Sequence, residues 1–374
     1  MRRLSFAAKR SSHWNRGKEK VVQVEKISQP LSNKLANMGF VCACLVVLIH
    51  VPDVEIGMFV NDFVFQWFKR GVAMIAVPVF FVMSGFFLGR HINEEGWYAK
   101  AIKSRIRTLV VPFFTLSLLW LPVFFFFHYI GVRYFGADDS NRSMDLTIYN
   151  VLHGLGVFPW GGNVVVGLWY VRALFYLVLL SPCLAWVVKK GRGASLALLG
   201  LFAALHCVQA RFPITADWID TLTFSFRCPF FFFVGMALSQ YAPKTLPKHS
   251  ALWFVPLGVG SLCLLKFISV PDPAMKTFVA LAATVLIALA VWSLMPASEW
   301  PHSLVGNSFP IFVLHGSILY LLPIPFKALH VWDGTIHRFG FLPVWILTIL
   351  LALGVAQIVK GKLPRLANII FGGR

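Results

Sequence analysis

The sequence predicts an all-α, polytopic membrane protein of about ten transmembrane helices with both termini cytoplasmic, and three observations lead there. Of its 374 residues 58% are hydrophobic and only 13% charged, with a mean hydropathy of +0.73. That leaves too little polar surface for a soluble domain of this length. Apolar stretches close to the ~20 residues needed to cross a hydrocarbon core recur along the whole chain. Between them, Lys and Arg are divided unevenly in the alternating manner of the positive-inside rule.

A basic tail over 1–33, too polar for a signal-peptide core, precedes a membrane domain over 34–360, and a short basic tail over 361–374 follows. The apolar stretches lie near 35–51, 71–89, 108–130, 166–187, 195–210, 223–240, 251–268, 277–295, 304–323 and 342–359. Pro78, Pro112, Pro182 and Pro229 interrupt several of them, which membrane helices tolerate when neighbouring groups satisfy the freed backbone. With the N-terminus inside, the tail through Lys34, the segment from Arg90 to Arg107, Lys189, Lys190, Arg192, Lys244, Lys248 and the residues from Lys360 onward are cytoplasmic. The opposite segments hold most of the acids, among them Asp138, Asp139, Asp217 and Asp220. The longest outer segment, 131–165, is rich in Gly, Asp and Asn and suits the rim of a polar substrate site.

The 36 Phe and 13 Trp suit lipid-facing helices and interfacial belts. A formal charge of +19 suggests nucleic acid only until its distribution is read. The basic residues are scattered in short connecting segments, so anionic headgroups and topology account for them. The 6 Cys show no paired spacing and read as small buried hydrophobes, and no metal site is predicted.

Ionisable groups inside a span are costly and mark candidate sites. His50 ends the first span on its outer side, His315 lies in the outer half of the ninth, and Arg172 and Arg227 lie one or two turns into the fourth and sixth. All would share one layer if their helices face inward. Each also has a plainer reading: His50 facing headgroup water, His315 bridging helices by a hydrogen bond, and the arginines snorkelling to the surface. Asp53, three residues after His50, either orients the imidazole or is a solvated loop acid. No Asp or Glu lies mid-span, which argues against a proton-coupled transporter. A histidine with arginines nearby suits acid/base chemistry on an anionic donor. The run containing Lys100, Lys103, Arg105 and Arg107 before the third span is a topological anchor or, beside a cleft, a clamp for the phosphates of coenzyme A.

Several segments then carry a resemblance. They are Cys44 to His50, Val77 to Gly89 with Ser84, Gly85 and Phe86, the basic Arg105 and Arg107 before Pro112, Leu168 to Pro182 with Trp169 and Arg172, and Val305 to Leu319 with His315. In this order they resemble the bacterial integral-membrane acyltransferase 3 family, which includes O-acetyltransferases of lipopolysaccharide, capsule and exopolysaccharide. Two positions depart: the family carries a basic residue eleven positions before the first histidine, where this chain has Gly39, with Lys34 five residues earlier, and Thr108 stands where many relatives place a second arginine.

The resemblance implies a bacterial inner-membrane enzyme that moves an acyl group, usually acetyl, from cytoplasmic acetyl-CoA as co-substrate to a saccharide or glycolipid hydroxyl, without a metal. It implies His50 as general base, or as a covalent acyl carrier, Arg172 stabilising the oxyanion, and His315 serving the acceptor or proton transfer. Arg105, Arg107 and Lys34 would hold the donor, with Ser84 to Phe86 permitting close helix approach and offering a hydroxyl. Two non-enzymatic readings stand beside it: an exporter or flippase of an envelope glycan or anionic intermediate, and a structural partner in an envelope assembly.

Overall fold

The computed structural model describes residues 27–51, 68–135, 167–212, 226–241, 250–267, 272–322 and 341–373, with short pieces at 148, 151–152 and 155. The N-terminal tail up to residue 26, Asp53, most of the acid-rich segment over 131–165, and Asp217 and Asp220 lie outside the described residues. Among the described residues every regular element is helical, and each predicted span falls on a helix.

Helix α1 (Gln29–His50) opens with a proline in its first turn, where the missing N–H costs nothing. It ends at His50, two residues before Pro52, whose ring disfavours helix in the residue preceding it. A π turn (Phe68–Val72) and a 3-10 turn (Ala73–Ile75) lead into α2 (Ala76–Gly89). Helix α3 (Trp97–Arg105) passes through a second π turn (Ile106–Val110) into α4 (Val111–Phe135). The chain continues with α5 (Leu168–Lys190), α6 (Arg192–Arg211), α7 (Arg227–Tyr241), α8 (Ser250–Phe267) and α9 (Pro273–Leu294). Then come the short α10 (His302–Val305), α11 (Ser308–Leu321), α12 (Phe341–Lys362) and α13 (Pro364–Ile370).

Among the described residues seven helical stretches are long and apolar enough to cross a membrane: Gln29–His50, Phe68–Gly89, Trp97–Val123, Leu168–Lys190, Arg192–Arg211, Pro273–Leu294 and Leu342–Lys362. The other three predicted spans are shorter. Helix α7 has 15 residues and α11 has 14, while α8 is apolar over Ser250–Leu264. At 1.5 Å of rise per residue, fifteen residues reach about 22 Å, short of a hydrocarbon core of about 30 Å. Helices α7 and α11 are also among the most enclosed: Phe231, Phe232, Phe233 and Met236 are buried on the former, Ile311, Phe312, Val313 and His315 on the latter.

Glycine sets the closest packing. A Cβ added at Gly85 of α2 would lie 1.9 Å from the Phe232 carbonyl oxygen of α7, and one added at Gly235 of α7 would lie 2.0 Å from the Val82 carbonyl oxygen of α2. The two backbones touch, as small residues allow where lipid supplies no hydrophobic drive.

Three of the carbonyls that prolines leave free are answered by side chains. A proline at position i leaves the carbonyl of i−4 without its helical donor. Pro78 frees the Met74 oxygen, which accepts from Arg227 Nη2 at 3.3 Å. Pro182 frees that of Val178, which accepts from Ser181 Oγ at 2.6 Å. Pro310 frees that of Gly306, which accepts from Lys360 Nζ at 3.1 Å. Two of these repairs tie separate helices together. The outer surface is correspondingly apolar: Leu196, Leu201 and Val208 of α6, Leu252, Trp253 and Leu257 of α8, and Ile346, Leu350 and Ile358 of α12 are all exposed. Such faces suit hydrocarbon rather than water. Of the cysteines, Cys42 and Cys228 are buried, Cys44, Cys207 and Cys263 partly so, and Cys183 is exposed; none is in a disulfide.

Candidate active site

The core of the bundle brings two histidines together from opposite ends of the sequence. His50, at the last turn of α1, and His315, midway along α11, have ring centroids 5.1 Å apart with planes inclined by 33°. His315 is fully buried. Its Nδ1 lies 2.6 Å from the Phe312 carbonyl oxygen, and because a carbonyl only accepts, Nδ1 carries the hydrogen and donates. The neutral ring therefore presents its lone pair at Nε2, a buried atom with no hydrogen-bond partner among the described residues. His50 is half-buried beside it.

The start of α5 closes over this pair. Gly167 has φ +96, a left-handed conformation that glycine adopts without penalty, and a Cβ there would come within 3.1 Å of His315 Cε1. Three residues on, the Tyr170 ring packs on Phe312 at 5.3 Å and Phe81 at 4.7 Å between centroids. Its hydroxyl meets Ser84 Oγ at 3.3 Å. Ser84 is thus paired with a tyrosine, and neighbouring Gly85 supplies the close helix approach. Arg105, half-buried before the second π turn, lies within electrostatic reach of Tyr170. Tyr170 in turn packs on Phe312, whose ring centroid lies 6.0 Å from that of His315.

Arg172 is buried on α5 with Tyr176, one turn along, in electrostatic reach. It stands five residues past Gly167, about 7.5 Å of rise along the axis. Arg107 is exposed, its Nη2 3.8 Å from where a Cβ on Gly373 would sit, so the chain's last described turn lies against it. Lys34 sets its ammonium over the Trp292 ring at 5.0 Å, well down α1 from His50. Gly39 is buried, and a Cβ there would meet Met83 Cε at 3.9 Å and Ser308 Oγ at 4.0 Å.

Arg227 bonds the Met74 carbonyl, freed by Pro78, and lines a cavity with Arg70 and His206 whose described lining includes neither His50 nor His315.

Two lysines at the site were read from the sequence only as topological charges. Lys69 is buried, donates to the Val51 oxygen at 2.6 Å, and lies within electrostatic reach of His50. Lys360 bonds Asn307 Oδ1 at 2.9 Å as well as the Gly306 oxygen, fixing the start of α11. A signal for Lys360 was present in Pro310, which marks Gly306 as a carbonyl needing an outside donor. Lys69 gave no comparable signal.

Known proteins resemble the chain over most of its length. A family model described as an acyltransferase domain matches residues 38–360, a span that contains both histidines. The chain is also 24% identical over 357 residues, 88% of its length and 89% of the other's, to the succinoglycan biosynthesis protein ExoH of Rhizobium meliloti (strain 1021). No solved structure matches it.

Proposed function

The chain belongs to the acyltransferase family whose model spans residues 38–360, and from that premise we propose a membrane-bound O-acyltransferase that moves an acyl group, in the first instance acetyl, from cytoplasmic acyl-CoA to a saccharide hydroxyl. The observation that carries this reading is the His50–His315 pair, its ring centroids 5.1 Å apart. The saccharide class is supported by the likeness to a succinoglycan biosynthesis protein. The setting is the bacterial inner membrane, with about ten spans and both termini inside, the shorter helices being held by longer neighbours.

In this mechanism His50 removes the proton of the acceptor hydroxyl as its oxygen attacks the thioester carbonyl. The tetrahedral oxyanion is stabilised by Arg172 or by the ammonium of Lys69. It collapses with cleavage of the C–S bond, and the coenzyme A thiolate takes the proton back from the His50 imidazolium. His315, its Nδ1 anchored on Phe312, holds the His50 ring or relays the proton through Nε2. Arg105 and Arg107 bind donor phosphates at the entry, with Lys34 and Lys360 as further cations on that side. Tyr170, with Ser84 behind it, guides the acyl arm inward.

The test uses purified detergent-solubilised protein and its His50→Ala variant, radiolabelled acetyl-CoA and a panel of envelope glycans. Loss of transfer by about 10²–10⁴-fold in a variant that extracts and melts normally is the expected outcome for a general base. Transfer at an undiminished rate would sink the mechanism, and wild-type protein that neither turns over nor binds coenzyme A would point to the exporter reading.

A further inference from the structure

The wall beside the histidine pair is aromatic and closely filled. Phe312 stands on α11 one turn before His315, with 6.0 Å between the two ring centroids. The Phe312 ring is itself enclosed. Tyr170 meets it at 5.3 Å with the planes at 70°, Phe80 at 5.8 Å and 74°, and Phe309 stacks on it at 6.5 Å and 23°. At its tip, a Cβ on Gly167 would lie 3.8 Å from Phe312 Cζ. Edge-to-face and stacked contacts of this kind hold a ring in place, and Phe312 is buried. Tyr170 is fixed in turn by Phe81 and by the contact of its hydroxyl with Ser84.

The inference drawn from this wall rests on the acyl transfer proposed above. There the acceptor hydroxyl reaches the pair from the outer side and the donor from the cytoplasmic side. The part of the acyl group beyond the thioester carbonyl therefore turns back toward the donor side, because the acceptor fills the other. Phe312 stands on that side, three residues or about 4.5 Å of rise before His315. Close-packed interiors yield little to extra volume, and one methylene too many in an apolar pocket costs about tenfold or more in discrimination.

We propose that Phe312 is a specificity-determining residue whose ring, braced by Tyr170 and Phe80, fills the space a longer acyl tail would need and so restricts the donor to short acyl thioesters. The two duties of residue 312 are separable. Its main-chain oxygen accepts from His315 Nδ1 and survives any substitution, whereas its side chain sets the room beside the pair. Phe312→Ala removes the ring and leaves a space lined by Phe80, Tyr170 and Phe309. An apolar space of that kind stays dry and admits apolar guests. Phe80→Ala acts from behind, letting the Phe312 ring swing away while α11 keeps its sequence.

The experiment compares kcat/KM for acetyl-, propionyl- and butyryl-CoA, read as release of the free coenzyme A thiol by the full chain in detergent with the same glycan panel. Wild type should prefer acetyl to butyryl by about a hundredfold, tenfold for each added methylene. Phe312→Ala should raise the butyryl-to-acetyl ratio about tenfold or more, and Phe80→Ala should raise it by less in the same direction. The fraction of protein that folds cancels from such a ratio, so a merely destabilised variant leaves it unmoved. Where Phe312→Ala yields no active protein, Phe80→Ala decides. Acetyl transfer with the ratio unmoved in the active variants, or a wild type that uses butyryl-CoA as well as acetyl-CoA, overturns the inference and leaves the acyltransferase reading standing. A well-folded wild type that turns over none of the three thioesters and binds no coenzyme A removes that reading, and the inference with it.

Discussion

The imidazole of His315 is held by a bond that sets its tautomer. Replacing it by leucine keeps the volume but leaves the Phe312 carbonyl oxygen buried without its side-chain donor, a loss of about 1–3 kcal/mol. His315→Leu should therefore melt several degrees lower, and acyl transfer should fall further than the stability loss explains. Activity intact beside the lowered melting temperature would reduce His315 to a helix-packing residue, the plainer of its two sequence readings. At this scale the sequence exposed the ionisable residues within apolar stretches, His50, Arg172, Arg227 and His315, because intramembrane charge and imidazole are conspicuous in composition. It left the partners open: Lys69 bonds Val51, the neighbour of His50, across 18 positions of chain, and Tyr170 meets Ser84 across 86.

Helix pairing turns on small residues and on repaired carbonyls. Gly235→Ala places a methyl 2.0 Å from the Val82 carbonyl oxygen and 2.7 Å from the Phe86 nitrogen, backbone atoms that cannot rotate aside. The cost of such overpacking is about 1–3 kcal/mol or more, so the variant should extract poorly and melt well below the parent. A variant that melts like wild type would mean that α2 and α7 are not in backbone contact. Lys360→Met tests the other device. It removes a charged donor from the Gly306 oxygen and the Asn307 side chain, worth about 1.5–3 kcal/mol as a charge-assisted bond. The start of α11 should loosen, read as faster proteolysis or hydrogen exchange around Asn307. Proline positions foretold which carbonyls would be orphaned, yet the donors that answer Met74 and Gly306, Arg227 and Lys360, come from different helices, and local sequence carries no record of that choice.

For the molecule as a whole, the unequal distribution of Lys and Arg predicts both termini on the cytoplasmic side. Reporter fusions at the N- and C-terminus should both report cytoplasm, and a fusion within 136–166 should report the outer face. A C-terminal reporter found outside with the N-terminus inside would require an odd number of crossings, and an N-terminal reporter found outside would put Arg105 and Arg107 on the wrong face for acyl-CoA. The seven long apolar helices meet the length requirement unaided, while α7 and α11 depend on their neighbours.

By itself the sequence determined the solvent in which this protein folds, the location of its helices and the residues able to do chemistry. Those properties are local, set by runs of apolar side chains, by proline and by isolated charges. Only the tertiary structure decided that α1 and α11 meet so that two histidines lie 5.1 Å apart, that Arg227 turns to Met74 and a second cavity, and that Lys360 secures α11. Each depends on which helices are neighbours, and in a membrane that is settled by glycine contacts and polar repairs spread across the chain, since every helix presents much the same apolar surface to lipid.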